Sequence, residues 1–374
     1  MSSPLSDVRA SRARPKPPPL LSTYHRSHTN AVAGTESSTV TESVTRNPRC
    51  VLVDTPTDLI WEASAEELHT YRGREKCDPG FIMGHEFVGV VAEVGASVTS
   101  VRIGDKVVTP FTVSCGDCFY CRDGNTSRCT GSQLFGSPDL NGGQAEFVRV
   151  PLADGSVMKA PETISDQTLV LMADIFPTGY YGVRSAIELC PKVKIHDAVM
   201  VIIGCGPVGL CAIAAASHFG PRRIFAIDSV HSRLELARGL GAEPLNFLDD
   251  REGMLTRIKA ATGGRGADMV VEVVGQPAAL KTAYDVVRPF GSISSIGVHG
   301  SEIPFSGEEG YDKNIRLQMG RCPVRGVFAE ALAVLESKQH AFGFMFDKVM
   351  PLSEAVEGYD LFDKLKVQKV VFKV

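Results

Sequence analysis

Cys115, Cys118, Cys121 and Cys129 follow the spacing C-x2-C-x2-C-x7-C in a stretch of Gly, Asp, Asn and Ser. Four thiolates offered by one polar loop can close a tetrahedral shell around zinc and leave no position for a substrate, so the pattern points to a structural zinc. An iron–sulfur cluster also takes four cysteines, and a disulfide role is the third reading. The β-rich and α/β segments around the loop disfavour the cluster, and the rarity of intracellular disulfides disfavours the last. Of the ten cysteines in the chain, Cys190, Cys205, Cys211 and Cys322 lie in or beside apolar runs, where a free thiol behaves as a small core residue.

A second chemical signal is GCGPVG at 204–209, which follows the apolar run VMVIIG and opens an apolar helix. That context turns a weak G-x-G-x-x-G match into a dinucleotide fingerprint. Gly204 allows the tight turn, Gly206 leaves room for a pyrophosphate, and Gly209 lets the helix approach the sheet. Pro207 and Val208 lie at the helix N-terminus that faces the phosphates. Asp228 ends the next strand, nineteen positions after Gly209. An acid there accepts hydrogen bonds from the adenosine ribose and repels a 2′-phosphate, which favours NAD over NADP. Arg222, Arg223 and Arg233 lie near that strand and keep an NADP contact open on charge alone. The competing readings are turn glycines and a turn or capping aspartate.

The elements that must hold these groups are of two textures. From Phe87 the runs FVGVVAEVG, KVVTPF (106–111) and QAEFVRV (144–150) are short β-rich stretches broken by Gly and Asp, which predicts a β-barrel-like domain. After Pro177, strands alternate with helical segments: VMVIIG, a helix from about Val208, RIFAID (223–228), a helix over HSRLELARGL, MVVEVV (269–274) and SISSIG (292–297). That alternation predicts a doubly wound parallel sheet. The tail adds two amphipathic stretches, AEALAVLES and SEAVEGYDLF, and a last strand in VQKVVFKV. Residues 1–46, rich in Ser, Thr, Arg and Pro, lack either periodicity and are expected to be disordered.

A chain of 374 residues, 44% hydrophobic and 22% charged, has room for two packed domains. A net charge of −4 and a pI near 6.2 leave no electrostatic footprint for nucleic acid or an anionic membrane. The apolar runs fall far short of the roughly 20 residues that cross a bilayer, and no secretory signal opens the chain. The expectation is a soluble cytoplasmic protein acting on a small molecule. The basic first half of the N-terminal segment also fits a mitochondrial transit peptide, against which its prolines argue.

With these motifs in order, together with GHEFVGVVAEVG (84–95), LFGSPDLNGGQAEFVRVP (134–151), ADIFPTGYYG (173–182) and the closing QKVVFKV, the chain resembles the zinc-containing medium-chain dehydrogenase/reductase family. These are the alcohol dehydrogenases with a GroES-like catalytic domain, and the match is nearest the formaldehyde- and polyol-dehydrogenase-like branch. It covers roughly residues 47–374. The resemblance implies a GroES-like domain over 47–177, completed by 330–374, and a Rossmann domain over 178–329. It implies a catalytic zinc held by His85 and Asp174 with Glu86 beside them, His69 as a proton relay, and Lys369 at the cofactor. It also implies zinc and NAD as cofactors, an alcohol, polyol or aldehyde-hydrate substrate, and a homodimer or homotetramer.

One departure stands out. The family places a metal-binding cysteine in a C-G-S/T-D/E-L-H segment, whereas this chain reads Ser64-Ala65-Glu66-Glu67-Leu68-His69, without the cysteine and without the relay hydroxyl. The first reading is therefore an active oxidoreductase moving a hydride between an alcohol and NAD. The alternative is a catalytically impaired NAD- and zinc-binding homologue, or a shortened gene model.

Overall fold

The computed structural model describes residues 47–55, 61–62, 67–68, 72 and 80–373. The N-terminal segment 1–46, Ser64 and His69 lie outside the described residues.

Among the described residues, three sheets organise the fold. Strands β1 (Val51–Asp54), β2 (Trp61–Glu62), β3 (Val88–Val94), β4 (Lys106–Val108), β5 (Phe147–Val150) and β6 (Met158–Lys159) precede the alternating segment. Five of them form an antiparallel sheet in the order β5-β1-β3-β4-β6. A bulge between Leu52 and Val53 shifts the β1–β3 register. The run KVVTPF yields only three strand residues, since Pro110 has no N–H to give to a ladder. Beyond it, the amide of Phe111 donates to the carbonyl of Ala173 instead. Val51, Val53, Phe87, Val91, Val107 and Phe135 share one core with Phe372 from the C-terminal tail.

The parallel sheet contains β7 (Val199–Ile203), β8 (Arg223–Asp228), β9 (Glu243–Asn246), β10 (Ala267–Glu272), β11 (Val287–Ser295) and β12 (Arg316–Met319), in the order β12-β11-β10-β7-β8-β9. Every residue of β7 is buried. Val199, Val201 and Ile203 enter the core on one face, and Met200 and Ile202 the core on the other. A strand covered on both faces reads as a continuous apolar run, which is why VMVII carries no alternation. β13 (Val349–Pro351) and β14 (Val371–Lys373) join β2 in a third, three-stranded sheet.

The chain leaves β7 through β8 and β9 on one side and returns through β10, β11 and β12 on the other. The carboxyl ends of β7 and β10 therefore flank the switch point, where doubly wound sheets open a ligand crevice. The helices Ile175–Glu188 and Val324–Lys338 run through the boundaries expected near 177 and 329 and share one buried core with β7. Among the described residues no helix is long and apolar enough to cross a membrane.

Candidate functional site

The glycine turn follows directly from β7. Gly204 has φ +96°, a region open to glycine. A Cβ at Gly209 would lie 1.8 Å from the carbonyl oxygen of Gly204, so no side chain fits there. A Cβ at Gly206 would meet nothing nearer than the Arg233 guanidinium at 3.9 Å, and its φ of −72° suits any residue. The space above Gly206 is thus a preserved gap under a cation, at the start of the helix Pro207–Phe219, whose first residue is the proline. Asp228 is 8% exposed. Its Oδ2 accepts from the amide of Cys205 at 2.7 Å and its Oδ1 from those of Ser229 and Val230 at 2.7 and 2.9 Å. The turn role does not exhaust the side chain, because a carboxylate offers about four acceptor positions and three are used.

In the polar lobe one sulfur atom from each of Cys115, Cys118, Cys121 and Cys129 lies within 4.8 Å of the others. Backbone amides converge on them: Cys118 N–H reaches the Cys115 sulfur at 3.3 Å, and Cys115 and Gly131 reach the Cys129 sulfur at 3.2 and 3.3 Å. Amides from Thr130 and Cys121 pull the Cys118 thiol down to about 6. Burial holds Cys121 up at about 12 and raises Cys129. A dication bound among them would bring all four to thiolates, since metal ligation and deprotonation are linked. The set fits zinc.

His85, on the approach to β3, and Asp174, at the start of the helix Ile175–Glu188, come from segments nearly ninety residues apart. His85 Nε2 lies 3.4 Å from Asp174 Oδ2, both buried. Two ligands about 2.1 Å from one tetrahedral zinc are separated by about 3.4 Å, so the pair fits a shared metal. The groups behind them fix their aim. Thr178 Oγ1 donates to Asp174 Oδ1 at 2.6 Å, leaving Oδ2 turned to the histidine. On the far side of the ring, His85 Nδ1 lies 3.6 Å from Glu67 Oε1. Tyr359 donates to Glu67 Oε2 at 2.5 Å, and Gln144 donates to the Tyr359 oxygen at 2.6 Å. Burial pushes the Asp174 carboxyl up, but its hydrogen bond to His85 and the histidine's charge overcome this and hold it below its ordinary range.

Glu86 lies near that pair but is engaged by another partner. Its Oε2 takes the ammonium of Lys369, both side chains being buried, and its Oε1 has no hydrogen-bond partner among the described residues. Burial outweighs the lysine and raises the carboxyl. Among the described residues the only three or more His, Cys, Asp or Glu ligand atoms within 4.8 Å of one another are the four cysteines. Glu86 therefore does not close on His85 and Asp174 in this arrangement; a fully buried carboxylate is held by the nearest ammonium instead. Lys369, expected at the cofactor, pairs with Glu86.

Sequence reasoning passed over Glu67, Gln144 and Tyr359, and also a buried network at the carboxyl edge of the sheet. Glu272, fully buried at the end of β10, accepts from the amides of Val274 and Gly275, each at 2.8 Å, and from Ser295 Oγ at 2.7 Å. His299 Nε2 lies 3.0 Å from the same carboxylate. It ties the turns after β10 and β11 together beside the switch point. An acid inside the apolar run MVVEVV, which must have partners to be buried, was the signal for it.

Two family models match the chain: the alcohol dehydrogenase GroES-like domain over residues 56–162 and the zinc-binding dehydrogenase over 207–337. A zinc-type alcohol dehydrogenase B of Aspergillus flavus is 58% identical over 307 residues, covering 82% of this chain and 72% of the relative. Formaldehyde dismutase of Pseudomonas putida is 32% identical, with 81% and 85% covered. Among solved structures, alcohol dehydrogenase TADH from Thermus sp. ATN1 superposes with a TM-score of 0.80 at 34% identity, covering 88% of this chain and 93% of that one. The GroES-like and doubly wound architecture expected from the sequence agrees with these likenesses, and the chain belongs to the zinc-type alcohol dehydrogenases of the medium-chain dehydrogenase/reductase family.

Proposed function

We propose that the chain oxidises a primary or secondary alcohol, a polyol or an aldehyde hydrate, passing a hydride to NAD, at a centre built on His85 and Asp174. The observation that carries this reading is the 3.4 Å spacing of His85 Nε2 and Asp174 Oδ2, buried and braced from behind by Thr178 and Glu67. Zinc held there would polarise the substrate oxygen as a Lewis acid. The chain's own contribution is orientation. Thr178 selects which carboxylate oxygen faces inward, Glu67 with Tyr359 and Gln144 sets the imidazole ring, and the Glu86–Lys369 pair supplies a second buried carboxylate beside the centre. Gly204, Gly206 and Gly209 open the turn for the dinucleotide, and Asp228 with Arg233 flanks it, with NAD favoured by the acid. His69 is assigned the relay of the alcohol proton to solvent, and the working form is assigned as a homodimer or homotetramer; both assignments rest on the family alone. Relatives named as alcohol dehydrogenases and a formaldehyde dismutase support the substrate range.

The test is zinc content and turnover on the same preparation. About two zinc ions per chain and alcohol-dependent NADH formation are expected, falling to about one ion and no turnover in His85→Ala and Asp174→Ala. One ion in the unaltered protein, unchanged by either substitution and without alcohol-dependent NADH, would leave the impaired homologue as the correct reading.

A further inference from the structure

The two carboxylate oxygens of Glu272 face different turns. Oε1 takes the amides of Val274 and Gly275, in the turn after β10. Oε2 takes the hydroxyl of Ser295, the last residue of β11, and lies 3.0 Å from Nε2 of His299, in the turn beyond it. His299 Nε2 is also 2.8 Å from Ser295 Oγ, and the histidine side chain is 10% exposed. Two amides and a hydroxyl already give the carboxylate their hydrogens, and a carboxylate only accepts, so His299 Nε2 meets it as a donor. A bond to a charged acceptor of this kind, shielded from water, is among the strong ones.

The two turns touch backbone to backbone. A Cβ at Gly297 would fall 2.1 Å from the Gly275 nitrogen, and one at Gly275 would fall 2.4 Å from the Val298 carbonyl oxygen. Each turn then leans on a different half of the site. A Cβ at Gly204, the first glycine of the dinucleotide turn, would meet Val274 Cγ2 at 2.6 Å and Val273 Cγ2 at 3.0 Å. A Cβ at Gly182, in the helix that begins just after Asp174, would meet Ile296 Cδ1 at 2.9 Å. Val274 and Val298 are 45% and 61% exposed, so both turns border open space at the switch point rather than the interior. One buried carboxylate thus joins a wall of the glycine turn to the helix that carries Asp174, and His299 is the side chain that reaches it from the turn after β11.

We propose that Glu272 and His299 are positioning residues for the dinucleotide: His299, acting through Glu272, holds the turn after β11 against the turn after β10 and keeps Val274 seated on Gly204. This rests on the dinucleotide reading of the glycine turn given above. Neither side chain has to touch the cofactor. Without the bond from His299, the turn after β10 loses its brace, and the glycine turn loses the wall that fixes the height of its backbone beneath a pyrophosphate.

The test is NADH fluorescence titration on the full-length protein, with the KM for NAD and the Tm measured on the same preparations. His299→Leu keeps the bulk and loses the donor, and its NADH Kd is expected to rise about fivefold or more, with the KM for NAD rising alongside. His299→Gln, whose amide nitrogen can donate from the place of Nε2, should bind NADH within about twofold of the unaltered protein. Glutamine at 272 donates where the carboxylate accepted, so in a Glu272→Gln background His299→Leu should weaken binding by no more than about twofold further. Should Glu272→Gln not fold, the contrast between leucine and glutamine at 299 decides. A contact that only stabilises the fold would lower Tm in His299→Leu and leave the NADH Kd of the folded protein unchanged, which would overturn the proposal. A glutamine variant no better than leucine, or an equal leucine effect in both backgrounds, would also overturn it. If the unaltered protein binds no NADH, the dinucleotide reading falls and the proposal with it, whereas NADH bound equally by the unaltered protein and His299→Leu overturns the proposal alone.

Discussion

Gly206 and Gly209 lie three residues apart, yet one borders open space and the other is tightly packed, and alanine separates the two. At Gly209 a methyl group would sit 1.8 Å from the Gly204 carbonyl oxygen and 3.3 Å from Val273. The helix Pro207–Phe219 must then move off β7, an overpacking defect of about 1–3 kcal/mol or more. For a domain of this size that lowers Tm by roughly 3–10 °C. At Gly206 the nearest atom is 3.9 Å away and the backbone is ordinary extended, so alanine leaves Tm within about 1 °C. The methyl does fill the gap where a pyrophosphate would approach the amides, and NADH affinity should fall by about tenfold or more. Differential scanning fluorimetry and NADH fluorescence titration on both variants check the pair. Gly206→Ala binding NADH as tightly as the unaltered protein would refute the assignment of this gap to the dinucleotide, and Gly209→Ala melting unchanged would refute the packing argument.

Cys118→Ser and Cys121→Ser should each remove one equivalent of zinc and lower Tm, while leaving a second equivalent in place; metal content after gel filtration checks this. Asp228→Ser should narrow the preference for NADH over NADPH in parallel titrations, and it should also cost about 1–3 kcal/mol of stability by urea unfolding, because the amides of Cys205, Ser229 and Val230 lose an acceptor. Lys369→Met strands the buried Glu86 carboxylate and should cost about 3–5 kcal/mol, whereas Lys369→Met with Glu86→Gln should recover most of it. A double variant no more stable than the single one would show that the pair is not coupled.

What the sequence discloses depends on how far apart the cooperating atoms lie along the chain. The glycine turn is legible because one contiguous backbone makes it, and the cysteine lobe because one loop carries all four ligands. His85 and Asp174 became legible through resemblance alone, since no periodicity links positions nearly ninety residues apart. The support behind them was opaque. Tyr359 meets Glu67 across 292 positions and Gln144 across 215, and each has a residue type common on any surface. Strand extents failed for local reasons, as where Pro110 cuts KVVTPF short and where β11 begins at Val287, ahead of the recognised SISSIG.

The segment D-I-F-P-T-G-Y-Y-G shows why that run of residues stays together. Asp174 turns one oxygen to His85, and Thr178, one turn later, holds its other oxygen. Gly179 faces the glycine-turn helix so closely that a Cβ would lie 2.6 Å from the Ala212 nitrogen and 2.9 Å from the Val208 carbonyl oxygen. Gly182 faces β10 and the turn after β11, where a Cβ would lie 2.8 Å from Val271 and 2.9 Å from Ile296. One helix of 14 residues thus carries the Asp174 carboxylate at its start and is seated, through two glycines, on both sides of the switch point. On the proposed reading, that seating would set the distance between a metal at His85 and Asp174 and a dinucleotide in the crevice. Such contacts matter because hydride transfer tolerates little misplacement of donor and acceptor. A larger residue at Gly179 or Gly182 should therefore impair turnover without touching either ligand, while the zinc held by the four cysteines remains bound.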